Sequence, residues 1–211
     1  MLKKGLFITF EGPDGSGKTT ISKRVYEQLR TEGYDAIYTR EPGGIEIAEQ
    51  IRRVILDPDN TAMDCKTEAL LYAASRRQHL VEKIIPALRL NKIVICDRFV
   101  DSSLVYQGIA RAIGVDDVWT INKFAIEDYL PELTLYLDIS AEIGLERIYD
   151  RHNKDRLDQE NLVFHQAVVS GYQTIITMFK ERYRVINAER EIEPIVKDAY
   201  SKVIELVKKY V

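Results

Sequence analysis

Gly12-Pro13-Asp14-Gly15-Ser16-Gly17-Lys18-Thr19 satisfies the pattern GxxxxGK[ST] at every fixed position. Ahead of it, Leu6 to Phe10 is a short apolar run ending in turn residues and reads as a buried strand. Behind it, Ile21, Val25 and Leu29 recur at four-residue spacing up to Gly33, a helix with a glycine stop. Strand, glycine-rich loop and helix in that order form a cradle whose backbone amides converge on phosphate oxygens at the helix start. In such a cradle Lys18 reaches the outer phosphates of a nucleoside triphosphate and the Thr19 hydroxyl faces Mg²⁺. The candidate triphosphate-binding segment is therefore Gly12 to Thr20.

The rest of the chain alternates in the same way. Ala36–Thr39, Ile93–Cys96, Leu133–Ile139 and Arg184–Ile186 read as strands. Helical patterns cover 46–56, 66–89, 101–112, 116–129, 141–149, 160–181 and the C-terminus, and Pro86 is expected to kink the second of these. Strands alternating with helices predict an α/β fold with a parallel sheet covered on both faces. The 211 residues, 45% apolar and 30% charged, fit one domain spanning 1–211.

Bulk properties exclude several classes. A net charge of −3 carries no general nucleic-acid footprint, and no stretch approaches the roughly 20 apolar residues of a membrane span. Gly5 to Phe10 is too short for a signal-peptide core, so a cytoplasmic location is expected. Cys65 and Cys96 lie 31 apart without CxxC or neighbouring histidines, which predicts free thiols. A GTPase is disfavoured as well: Asn122-Lys123-Phe124-Ala125 lacks the aspartate of a guanine reader, and Cys96-Asp97-Arg98-Phe99 stands where a DxxG switch would be.

Further blocks sit behind the cradle: Thr39-Arg40-Glu41-Pro42-Gly43-Gly44, Ala74-Ser75-Arg76-Arg77, Asp97-Arg98-Phe99 with Asp101-Ser102-Ser103, and Tyr106-Gln107-Gly108. With Phe10-Glu11 and the cradle, their order and spacing resemble the thymidylate kinases, which transfer a phosphoryl group from ATP to dTMP. The resemblance implies a three-layer P-loop kinase fold with about five parallel strands, a short lid and a homodimer. Its substrates would be ATP and dTMP, with Mg²⁺ and no nucleic-acid or membrane partner. It assigns Arg98 to the phosphates at the transfer point and Asp97, with Thr19, to the metal. Arg40 would hold the acceptor phosphate, with Arg52 in support. Asp14 would meet the acceptor sugar, and Glu41 is the least defined of these sites. Phosphoryl transfer is mainly positioning and charge neutralisation, and an ionised phosphate monoester needs no general base.

Helical geometry adds an independent clue over 66–89. Leu70, Ala74, Val81, Ile84 and Leu88 make one apolar stripe, while Tyr72 and Arg76 fall together on the opposite face. An aromatic ring and an arginine there can wall a pocket for a planar ligand. By resemblance Tyr72 stacks on thymine and Arg76 meets the base's carbonyl edge. Ser103, Tyr106 and Gln107 share a face at i, i+3 and i+4. The resemblance gives Gln107 a hydrogen bond to the pyrimidine, places Ser103 nearby, and sets Tyr106 against the sugar's 2′ position.

Residues 148–158 form the expected lid. The resemblance implies an extra arginine either in the cradle or in the lid. Since Pro13, Asp14, Gly15 and Ser16 include no base, the chain resembles the bacterial lid-arginine type, with the late positive charge from Arg151 or Arg156. The resemblance does not choose between them. Three other readings stay open on the residues: another P-loop deoxynucleotide kinase, a nucleotide-binding module without turnover, and a helical scaffold. Arg40 and Arg98, which a passive ATP sensor does not need, weigh against the module.

Overall fold

Short aliphatic strands and amphipathic helices condense into three layers in the computed structural model, which describes residues 4–149 and 155–210. In chain order these are β1 (Leu6–Glu11), α1 (Lys18–Thr31), β2 (Ala36–Arg40), α2 (Glu46–Leu56), α3 (Cys65–His79), α4 (Ile85–Arg89) and β3 (Ile93–Asp97). Then follow α5 (Val100–Ser103), α6 (Val115–Ile126), β4 (Leu133–Asp138), α7 (Ala141–Tyr149), α8 (Leu162–Met178), β5 (Tyr183–Asn187) and α9 (Ile192–Val207). The five strands form one parallel sheet in the order β2-β3-β1-β4-β5. Alternation along β1 divides the core: Leu6, Ile8 and Phe10 pack with α1 and α9, while Phe7 faces the other layer beside Phe99 and Val94.

Register places the site. Phe10 and Arg40 both stand opposite Asp97, so the carboxyl ends of β1, β2 and β3 finish level at one edge of the sheet. Since β1 and β2 are consecutive in sequence yet separated by β3, that edge is where the connections diverge and ligands of open α/β sheets bind.

Two helices depart from the expected course. The long helix widens into a π-turn at Leu80–Ile84, where the Ile85 amide reaches back to the Leu80 carbonyl. Pro86, which has no N–H to give, follows at once; its ring would crowd the carbonyl four residues back, and the wider turn makes room. A second π-turn at Leu104–Ala110 replaces a regular helix over 101–112. The apolar stripe marks the core side only at its far end, where Ile84 is buried and Leu88 packs against the same cluster. Leu70 and Val81 are 56% and 39% exposed, whereas Tyr72, Ala73 and Arg76 point inward. Arg77, inside that stripe, donates to the Ala125 carbonyl and pairs with Glu127, which fastens α3 to the end of α6.

Candidate active site

The cradle follows β1 directly. Gly17 has φ +84° and opens α1, a backbone conformation that suits a residue without a side chain. Gly15 lies against α7 so closely that a Cβ on it would stand 2.1 Å from the Gly144 carbonyl oxygen. Lys18 is buried, and its Nζ donates to the Pro13 carbonyl at 2.7 Å and the Ser16 hydroxyl at 3.4 Å. Burial, then the nearby Arg98 charge, bring its pKa down from 10.5 to about 8. The Thr19 hydroxyl donates to the Asp97 carboxylate.

The cavity of about 240 Å³ that Lys18 lines is also lined by the guanidinium groups of Arg98, which touches the cradle at the Gly12 carbonyl and Asp14, and of Arg40, Arg52 and Arg76. Arg40 and Arg52 both donate to the Pro42 carbonyl, at 2.7 and 2.9 Å, so two like charges converge on one oxygen. Burial, followed by the Arg40 charge, pulls the Arg52 pKa below its ordinary value. Glu49 partly balances the pair through Arg40. A doubly charged anion suits such a set, because each guanidinium offers a planar donor fork.

Arg98 has φ +69°, a left-handed conformation that costs a residue with a side chain roughly 1–2 kcal/mol. The surroundings hold it there. Its amide donates to the Phe10 carbonyl, and the Phe99 amide donates to Glu11 at 2.7 Å. Its side chain pairs with Asp14 and donates to Ser102 at 3.1 Å and Tyr106 at 3.2 Å. Burial would raise the Asp14 carboxyl, but Arg98 and Lys18 outweigh it and bring the pKa down to about 2.

The remaining expected residues line the far end. Tyr72 is 8% exposed and borders the cavity with Arg76, Ser103, Tyr106 and Gln107. Arg76 is fully buried: Nε donates to Glu41 at 2.7 Å, one terminal nitrogen to Ser103 and Asn122, and the other to the Phe99 carbonyl. Four of its five N–H donors are thus committed, and one remains. Glu41, undefined in the sequence, holds Arg76 and His79 in place. Gln107 donates to Glu68 at 2.8 Å.

The two lid arginines fare differently. Arg151 lies outside the described residues, as do the other lid residues between 150 and 154. Arg156 is buried away from the cradle, with Nε on the Ile55 carbonyl and its other end on Glu68. It does not line the cavity that Lys18 and Arg98 share.

Several site residues escaped sequence reasoning. Glu11 is fully buried and accepts from Phe99 N–H, the Ser102 hydroxyl at 2.6 Å and the Tyr172 hydroxyl at 2.9 Å. Burial, then the Asp101 charge, push its pKa up to about 7. Asp101 is held in turn by both ends of Arg182. The Phe-Glu pair before the cradle was the one available signal for Glu11, since a charge closing a buried strand needs a partner.

Comparison with known proteins shows the family and agrees with the fold. The family profile for thymidylate kinase matches residues 10–199. The thymidylate kinase of Bacillus licheniformis is 54% identical over 206 residues, 97% of each chain. That of Bacillus velezensis is 55% identical over 207 residues, 97% of this chain and 98% of its own. The crystal structure of thymidylate kinase from Ehrlichia chaffeensis superposes with a TM-score of 0.77 at 32% identity, covering 96% of this chain and 98% of the other. With the motif blocks, the fold and these matches in agreement, the chain belongs to the thymidylate kinase family of enzymes.

Proposed function

We propose that this chain, acting as one domain over 1–211, transfers the γ-phosphoryl group of ATP directly to dTMP, giving dTDP and ADP for dTTP supply. A phosphate oxygen of dTMP forms a bond to the γ-phosphorus as the bond to the β–γ bridging oxygen breaks, and ADP leaves with that oxygen. The observation that supports this reading is that one cavity is lined by Lys18 of the cradle after β1, by Arg98 after β3, and by Arg40 and Arg52 at and beyond the end of β2, with β3 between β1 and β2 in the sheet. Charge neutralisation and exclusion of water do the work, without a general base. In this reading Tyr72 stacks on the base, Arg76 and Gln107 meet its edge, and Asp14 and Tyr106 border the sugar. A basic residue of the segment that begins after α7, Arg151, supplies late charge. The position of Arg156 favours the acceptor end instead.

The donor set fits Mg²⁺. Among the described residues no cluster of three metal-binding side chains exists, but this ion keeps several waters and takes substrate phosphates, so the Thr19 and Asp97 oxygens suffice. When bound, the ion offsets phosphate charge. A coupled ADP-release assay across nucleoside monophosphates tests the proposal, with dTMP expected to give the highest kcat/KM. A higher value for dCMP would sink the choice of acceptor. ATP binding without turnover of any acceptor would make the protein a regulatory module.

The exposed apolar side chains Ile47 and Val54 on α2, Leu70 on α3, Val81 on the π-turn that follows it, and Phe124 on α6 favour a homodimer through these helices. Sedimentation at micromolar concentration is expected to return twice the chain mass, and a monomer would refute the pairing. Both cysteines are free thiols, in keeping with a reducing cytoplasm, and among the described residues no helix is long and apolar enough to cross a membrane.

A further inference from the structure

Behind the base end of the cavity lies a carboxylate that the proposed transfer does not use. Glu68, on the inward face of α3, is 1% exposed. Its Oε1 accepts from Gln107 Nε2 at 2.8 Å. Its Oε2 accepts from Arg156 and, at 3.4 Å, from Arg111, which also pairs with Glu160. An ionised carboxylate only accepts hydrogen bonds. Gln107 must therefore turn its NH₂ towards Glu68, which leaves Oε1 as the polar atom it can offer to the cavity it lines. Among the described residues nothing donates to that oxygen.

We propose that Glu68 is a positioning residue for the choice of acceptor base. By fixing the orientation of the Gln107 amide, it makes the site present an acceptor where the base presents ring N3. A pyrimidine with a hydrogen on N3 is matched, whereas one whose N3 is a bare acceptor meets a second acceptor and is turned away. The single uncommitted N–H of Arg76 adds the complementary donor for a neighbouring carbonyl, and would oppose an amino group there. The inference rests on the proposed activity, in which the base lies against Gln107.

Replacing the carboxylate by its amide isostere reverses the logic. In Glu68→Gln, Arg156 and Arg111 on one side claim the amide oxygen, and the new NH₂ is left to face Gln107. Gln107 must then turn its own oxygen inward and present NH₂ to the cavity. The expected result is a fall in the ratio of kcat/KM for dTMP over dCMP, by roughly tenfold to a hundredfold, the scale of one buried mismatch. The loss for dTMP should lie mainly in KM, and Glu68→Asp, which still only accepts, should keep the wild-type preference. An equal loss for both nucleotides, with the ratio unchanged, would overturn the proposal and leave Glu68 as packing support. If Glu68→Gln fails to fold, Gln107→Leu decides. It removes the reader while Glu68 keeps both arginines, and an unchanged ratio there would also overturn the proposal. Wild-type protein that shows no turnover of dTMP would overturn the proposed activity, and this inference with it.

Discussion

Arg98→Ala is expected to lower kcat by roughly a thousandfold or more, the scale seen when a guanidinium is removed from a phosphoryl-transfer site. The side chain lines the same cavity as Lys18, Arg40 and Arg52, and its neighbours Asp14, Ser102 and Tyr106 fix it in one direction. Preorganised charge of this kind acts where charge is redistributed during transfer, so the loss should appear in kcat more than in KM. Alanine would inherit φ +69° without the side-chain contacts that hold it. Arg98→Gly, which adopts that conformation freely, should be as inactive but more stable than Arg98→Ala by about 1 kcal/mol. Rapid-quench kinetics with thermal melts separate the two effects. An unchanged kcat would reduce Arg98 to a structural residue.

Lys18→Ala is expected to lower turnover by at least a hundredfold while making the ligand-free protein more stable at neutral pH. Its ammonium is buried against Pro13 and Ser16, and the folded chain releases that proton near pH 8, against 10.5 for a solvated lysine. The unfolded chain therefore holds more protons between those values, so the charged form weighs against folding below pH 8, by up to about 3 kcal/mol, and this cost is relieved as pH rises through the window. A triphosphate restores the charge. Calorimetry at pH 8.5 in buffers of differing ionisation enthalpy should show proton uptake when ATP binds to wild type and none with the variant. Near-normal turnover in Lys18→Ala would refute the cradle assignment.

The fold was legible because β1, β3 and β4 are short, largely apolar runs and most helices have their own period, signals that need no partner. The cradle was legible for the same reason, being contiguous. Tyr72 and Arg76 were found by helical phase, although the apolar stripe opposite them turned out to face solvent at Leu70 and Val81. Burial there is decided by α2 and α6, which pattern along one helix cannot register. The buried acids were the larger gap. Glu11, Glu68 and Asp101 look like ordinary surface charges until their partners Tyr172, Arg156 and Arg182 arrive from far along the chain. The π-turns were hidden too. Pro86 signalled a disturbance but not that the helix would absorb it by widening upstream.

The contact between Gly15 and Gly144 reverses a common rule of substitution. Within a helix alanine ordinarily outranks glycine by about 1 kcal/mol. In α7, however, a Cβ on residue 144 would stand 2.5 Å from the Asp14 carbonyl oxygen. Even the smallest side chain would push the helix off the loop or deform the loop that carries Asp14 and Lys18. Intrinsic helix stability is thus given up at one position to keep two backbones touching. An engineer seeking a sturdier enzyme by filling helix glycines with alanine would here be stiffening the wrong residue.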